Sequence, residues 1–466
     1  MKKRIWALLT ALILLICIIP VNAYAAEAEQ PYSSWAYGDL LIGDTYGIYP
    51  LSWYEKGMTS PITEGQFRIL ISGMREKLLD TDCVTKVPDY AYKISAPLTV
   101  KNVLTSLYNN LSSYEFTKDL GFKNNNVISF MKKNKIYKGA KPEQLLNEKC
   151  SKEQACIFAT RLITYVFDKL DAGSKGFLWE TKSGGNTVYM LGSIHMASND
   201  IYPFSSKILE AYNKSEALVV EANTLNPEEV LKFTMYGIYQ DGTTLKDHVP
   251  ADTYQEAVKL GALLGYDENI VSMIKPWYLF NMFNSLNLTD STATADASQA
   301  AALGIDMSFI LNAMTYDKPL FEIEGLDYQG QMFDSFSDEL EEYLLNGIIA
   351  SVNEILEGKA SEETVNLDIM LKLWSEGDVE EYKALFSDND TQANSDVDVE
   401  VMKLLEEYYD KLFTQRDKKM ADYIDALLKS EGSHTYFVIV GSNHYISDYS
   451  VLDILEEKGY TMSQIR

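Results

Sequence analysis

Val188-Tyr189-Met190-Leu191-Gly192-Ser193-Ile194-His195 and Phe437-Val438-Ile439-Val440-Gly441-Ser442-Asn443-His444 are two copies of one phrase, an apolar run ending in Gly-Ser-x-His. The chain has only four His. Gly is about 7% of ordinary sequence, so two His sharing Gly-Ser at one offset is a chance event on the order of 10⁻⁴. A strand that ends in Gly can turn sharply and approach another group closely, because Gly has no Cβ. The Ser that follows can bond the turn backbone. The His then projects from the carboxyl end of a buried strand, the edge where open α/β sheets collect ligands. If the copies lie side by side in one sheet, their imidazoles converge.

Working outward, Phe177-Leu178-Trp179-Glu180 and Thr187 to Leu191 read as two strands joined by a turn at Ser183-Gly184-Gly185-Asn186. A helix follows over 205–214. The run Ala217-Leu218-Val219-Val220 is too short for a helix and fits a buried strand. Glu221 ends that strand, so its carboxylate emerges at the same sheet edge or is buried at a cost of several kcal/mol unless paired. Helical periodicity covers 227–286, a Ser/Thr/Ala/Asp-rich loop covers 289–299, and a short strand covers 319–323. A long acidic helical region spans 334–428, interrupted by a polar loop at 388–399. The chain closes with a strand over 436–440, a loop, and a helix over 451–458. Both copies of the phrase are expected to continue through a short loop into an amphipathic helix.

At 466 residues the chain exceeds one ordinary core, and about 100 to 200 residues per domain predicts two or three units. Lys2, Lys3 and Arg4, the apolar run 5–20 and the small-x-small triplet Ala23-Tyr24-Ala25 form a secretory signal, with cleavage expected after Ala25. An uncleaved anchor is the alternative, but the run is shorter than the ~20 residues a span needs and ends in Pro20. No stable membrane span is therefore expected after cleavage, and the protein is expected to be extracellular. Cys17 lacks the small residues a lipid-attachment site needs before it. The formal charge of −26, three units more negative once the leader is removed, excludes nucleic acid and anionic membranes as partners. Cys83, Cys150 and Cys156 allow one disulfide at most and no CxxC metal knuckle.

Residues 31–170 read as short helices, with two look-alike stretches. Ile62-Thr63-Glu64-Gly65-Gln66-Phe67 and Cys150-Ser151-Lys152-Glu153-Gln154-Ala155 each place a Thr or Ser N-cap before an amphipathic helix. These halves loosely resemble S-layer homology modules, with Trp35-Ala36 at the aromatic start, and the resemblance implies binding to cell-wall polysaccharide. A plain helical bundle explains the same residues. The polar stretch 171–176 is a linker to the second domain, 175–466.

Two imidazoles and a carboxylate make a first shell for a divalent metal that keeps positions open for water and substrate. Mn, Co and Zn all suit this ligand set. A metal-free site would instead use one His as general base and the other as acid. No Gly-x-Ser-x-Gly elbow supports a serine hydrolase. His248, in a polar turn before Pro250, and His434, in a Gly-Ser loop, read as structural.

Gly192-Ser193-Ile194-His195, Val219-Val220-Glu221, Lys275-Pro276-Trp277, Gly304-Ile305-Asp306, Glu322-Ile323-Glu324 with Gln329, Arg416, and Gly441-Ser442-Asn443-His444 with Gly459-Tyr460 resemble the TraB/GumN family in order and spacing. That family is similar to the catalytic domain of the Tiki metalloproteases. The resemblance implies that His195, His444 and Glu221 are the metal or catalytic set. Arg416 and Glu324 join Glu221 as catalytic candidates, and Ser193, Asn443, Asp306 and Gln329 are candidates for positioning substrate. Ser193 stands where Thr is common in the family. Asp417 stands where the family often has Asn, and its added charge is expected to pair with Arg416. A structural salt bridge between Glu324 and Arg416 is the alternative to a functional role.

These readings converge on an α/β domain, a mixed central sheet flanked by helices with the acidic helices from Asp334 as a cap, preceded by a smaller helical domain. The expected activity is metal-dependent hydrolysis of a peptide or protein substrate. The rivals are a cell-surface protein that grips a peptide or small ligand without cleaving it, and a wall-associated protein that acts through residues 31–170.

Overall fold

The computed structural model describes residues 30–88, 93–122, 126–138, 142–289, 294–359, 367–386 and 398–466. The secretory signal and nearly all of the polar loop at 388–399 fall outside the described residues, as do residues 290–293 of the loop expected at 289–299, whose remainder from Thr294 is instead helix, Thr294–Ala302. The chain divides into two compact units. One runs to Ser174 and includes the excursion Asn199–Ser206, and the other comprises Lys175–Ser198 and Lys207–Arg466.

The first unit is mainly helical. Thr63 and Ser151 each start a helix, Glu64–Leu79 and Lys152–Leu170, through a capping box closed by Gln66 and Gln154. Each box satisfies two otherwise orphaned N–H groups, which fixes where the helix begins. Phe67, Leu70, Ile71 and Met74 on one helix and Ile157, Leu162, Ile163 and Val166 on the other are buried at helical spacing. A small antiparallel pair, β1 (Val84–Lys86) and β2 (Glu115–Phe116), is added to them. Cys83, Cys150 and Cys156 are free thiols.

The second unit is built on one sheet. Its strands are β3 (Phe177–Ser183), β4 (Asn186–Ser193), β5 (Ala217–Val220), β6 (Leu320–Glu322), β7 (Thr435–Gly441) and β8 (Ser463–Ile465), in the order β6-β5-β7-β4-β3-β8. β6, β5, β7 and β4 run parallel, while β3 is antiparallel to both β4 and β8. This is the mixed sheet flanked by helices that the pattern predicts. The four parallel strands end at one edge, which delivers Ser193, Gly441, Glu221 and Glu322 to the same side. β4 and β7 are direct neighbours, paired Ser193 to Gly441, so the two copies are offset by one residue.

The helical stretches are more broken than their periodicity predicts. Residues 227–286 divide into Pro227–Tyr236, Leu245–His248, Ala251–Leu263, Glu268–Ser272 and Pro276–Thr289. Gly237, Pro250, Gly265 and Pro276 interrupt them, as residues that end or start helices do. The acidic region contains Asp338–Leu356, Leu367–Glu376, Val379–Ala384 and Val399–Tyr409, then a π-turn at Asp410–Thr414 that continues into Gln415–Lys429. Several of these helices share a second apolar core, where Trp277 stacks on Phe333 at 5.1 Å among Leu344, Leu345 and Tyr408. After Gly441 the expected loop is absent: the chain coils at once into the short helix Ser442–Ile446. Strand β8 has no counterpart in the sequence reading, because three half-polar residues carry no periodic signal. No described helix is long and apolar enough to cross a membrane.

Candidate functional site

The first copy leaves the sheet as an open turn held from outside. Trp374 Nε1 donates to the Gly192 carbonyl at 2.7 Å, and the Ile305 N–H donates to the Ile194 carbonyl at 3.1 Å. Gly304 lies against the His195 carbonyl so closely that a Cβ there would collide with backbone, which gives a steric reason for Gly in Gly304-Ile305-Asp306. Asp306 Oδ2 lies 3.0 Å from His195 Nδ1. Burial alone would lower the His195 pKa, but the carboxylates of Asp306 and Glu221 outweigh it and push the imidazole up to about 9.

The second copy is sealed. His444 is fully buried in the helix Ser442–Ile446, its Nδ1 lies 2.5 Å from Asp417 Oδ1, and the Phe413 ring is 5.7 Å away. His444 Nε2 is buried with no hydrogen-bond partner among the described residues. Burial pushes the Asp417 carboxyl up, with His444 and Arg416 opposing it. The expectation that Asp417 pairs with Arg416 is therefore corrected. Adjacent residues on a helix diverge by about 100°, and this divergence sends Asp417 to the imidazole while Arg416 reaches two glutamates.

Those glutamates are Glu221 and Glu324. Arg416 Nη2 donates to Glu221 Oε2 at 2.6 Å and to Glu324 Oε2 at 2.9 Å, while Nε donates to Glu324 at 3.0 and 3.1 Å. Gln329 Nε2 donates to Glu324 at 3.0 Å and to Glu221 at 3.4 Å. Glu221 Oε1 accepts the Gly441 N–H at 2.5 Å. Burial would raise Glu221, but Arg416, the two imidazoles and this N–H hold it down at about 2. Arg416 is fully buried, so its charge serves these carboxylates. A substrate would have to break the cluster to reach it.

The groups meet in front of Gly441. A Cβ built there would lie 3.4 Å from Glu221 Oε1, 3.6 Å from His444 Cδ2 and 3.7 Å from His195 Nε2. The absence of a side chain at Gly441 keeps that point open. Ser193 Oγ, Asn443 Nδ2, Ser442 Oγ, Asp306 Oδ1 and Gln329 Oε1 are buried without partners among the described residues. His248 and His434 stay apart from this cluster. His248 stacks on Tyr239 at 4.4 Å and bonds Thr243, while His434 bonds the exposed Glu216 at 2.8 Å.

Of four largely buried carboxylates, Glu221 and Glu324 share one guanidinium, while Asp306 and Asp417 each meet an imidazole. Such an excess calls for positive charge, supplied by protons on the imidazoles or by a cation. Among the described residues no three His, Cys, Asp or Glu side chains form a finished ligand set. Glu221 is committed to Arg416 and Gly441. The two imidazoles have the chemistry of cation ligands: a carboxylate meets each Nδ1, so Nε2 is the nitrogen each would offer. The roles of Asp417, Trp374 and Gly304 escaped sequence reasoning. The one available signal was Asp417 beside Arg416, two charges in succession on a helix that must bury one face.

The model of the TraB/PrgY/gumN family matches residues 177–464. The chain belongs to this family. Among similar proteins, Metalloprotease TIKI2 of Danio rerio is 22% identical over 320 residues, 61% of this chain and 60% of the relative. Metalloprotease TIKI homolog of Nematostella vectensis is 20% identical over 62% of this chain and 67% of its own length. Uncharacterized protein YbaP of Escherichia coli (strain K12) is 23% identical over 34% of this chain and 56% of its own. The match to TIKI2 thus spans about three fifths of that protein. No solved structure matches significantly. The family match begins after the helical unit, so it lends no support to the S-layer resemblance there.

Proposed function

We propose that the second unit is a metal-dependent hydrolase of peptides or related acyl compounds, with one active site built from both Gly-Ser-x-His copies. The observation that carries this reading is the single point before Gly441, with Glu221 Oε1, His195 Nε2 and the His444 ring all within 4 Å of it. The relatives named as metalloproteases agree with it.

His195 and His444 would hold a divalent cation such as Mn, Co or Zn, with Glu221 beside them. Such an ion supplies Lewis acidity that polarises a carbonyl and acidifies water. The rest of the chemistry falls to the chain. Glu221, kept ionised by Arg416, faces the point before Gly441 with Oε1 and orients an attacking water there. Glu324 and Gln329 keep Arg416 and Glu221 in place. Ser193 Oγ and Asn443 Nδ2, now unsatisfied, can bond the acyl oxygen or the substrate backbone. The basic, apolar and small-residue leader up to Ala25 supports action outside the cell.

The test is to purify the full chain, measure bound metal by mass spectrometry, and follow cleavage of a defined peptide library with and without a chelator. Metal-stimulated turnover lost in both His195→Ala and His444→Ala is expected. Peptide capture that weakens in His195→Ala, with no product at any metal concentration, would replace the hydrolase with a binding protein.

A further inference from the structure

The two imidazoles are held unequally. The His444–Asp417 pair is closed off, with side chains 0% and 2% exposed, while the His195–Asp306 pair remains 19% and 14% exposed. Asp417 Oδ1 lies 2.5 Å from His444 Nδ1, which engages that nitrogen and leaves Nε2 as the one facing away from the carboxylate. His444 Nε2 is buried from water with no hydrogen-bond partner among the described residues, an arrangement that carries a desolvation cost unless something meets it. The ring has little freedom to turn away, because Asp417 holds one edge and Phe413 packs beside it. Asp417 itself follows the π-turn Asp410–Thr414. Such turns shift the facing of the residues after them and often lie at functional sites.

We infer that Asp417 is a positioning residue that locks His444 as the fixed anchor for a divalent cation, with His195 as the accessible side of the site. This rests on the metal-dependent reading above. The asymmetry gives it content beyond that reading: removing the carboxylate charge at Asp417 weakens cation binding more than the same change at Asp306.

The experiment uses the full chain, with zinc chloride and manganese chloride as probes in calorimetric titrations, and histidine ring ¹⁵N spectra of the cation-free protein. Asp417→Asn retains an acceptor and should fold, which its melting curve checks. It is expected to lose 10- to 100-fold in zinc affinity, and Asp306→Asn less. Asp417→Ala is expected to move the His444 ring nitrogens from the single Nδ1-protonated form to a mixture. Zinc affinity in Asp417→Asn equal to wild type, or an equal loss in Asp306→Asn, overturns the anchor. Unchanged ring signals in Asp417→Ala overturn the positioning role. Wild type that takes up neither metal removes the hydrolase reading and the anchor with it, whereas a failure confined to the variants removes the anchor alone.

Discussion

Ser193-Ile194-His195 and Ser442-Asn443-His444 share their outer letters and take different shapes. The first leaves β4 as an open turn, tied by Trp374, Ile305 and Asp306 from other parts of the chain. The second coils into a helix inside the protein, and its His reaches a carboxylate on a neighbouring helix. Both nonetheless present a ring to the point in front of Gly441. Both rings reach one point although the structure supporting each of them differs.

That contrast can be broken by experiment, and the largest effect is expected at the sealed copy. His444→Ala leaves Asp417 buried without its partner and should cost ~3–5 kcal/mol. His195→Ala frees a carboxylate with some access to water and should cost about 1 kcal/mol. Denaturant unfolding of both variants checks this, and equal losses would mean that the copies are equivalent.

The two glycines should part in the opposite sense. A Cβ at Gly192 would lie 2.9 Å from Ser442 Oγ and 3.0 Å from its Cα, so Gly192→Ala pushes β4 away from the start of the helix Ser442–Ile446 and should cost ~1–3 kcal/mol. A Cβ at Gly441 sits at ordinary contact distances. Gly441→Ala should therefore cost less stability than Gly192→Ala while losing cation uptake and turnover. Unimpaired turnover in Gly441→Ala would show that the open point is not the reaction centre.

A smaller effect concerns Trp374→Phe, which keeps a ring but removes the donor to the Gly192 carbonyl. It should cost about 1 kcal/mol and disturb the His195 ring signals while leaving those of His444 in place. The last prediction is a pH dependence. Glu221 is held near 2, below its ordinary 4.5, so the stability it contributes is present above about pH 4.5 and is lost as pH falls toward 2. The stability gap between wild type and Glu221→Gln should accordingly narrow as unfolding is repeated from pH 6 down to pH 3. A gap that stays constant would show that Glu221 is not the group held ionised.

Much of this arrangement was legible before any coordinates. The strands flanking both phrases, Ala217–Val220 between them and the caps at Thr63 and Ser151 all announced themselves through alternation, length and capping chemistry. The meeting of His195, His444 and Glu221 followed from repetition plus the rule that parallel strands deliver their ends to one edge. The partner of Asp417 was not legible, because helix phase near the π-turn decides which of two successive charged residues faces which neighbour. Nor was the helix after Gly441: Ser442 to Ile446 is too short to show a period, and its first copy forms no helix. Trp374 reads as one more apolar residue on an amphipathic helix, and its indole N–H bond to a carbonyl far along the chain leaves no trace in pattern.

The pairing of β4 with β7 joins two strands that lie far apart in the chain, Asn186–Ser193 and Thr435–Gly441. Contacts so distant in sequence form late, after the intervening helices have closed the loop between them. A nascent chain that has produced β4 therefore has one histidine and no opposing wall. The point in front of Gly441 exists only once both strands are made, so a chain cut short before Thr435 has neither that point nor His444 to face it.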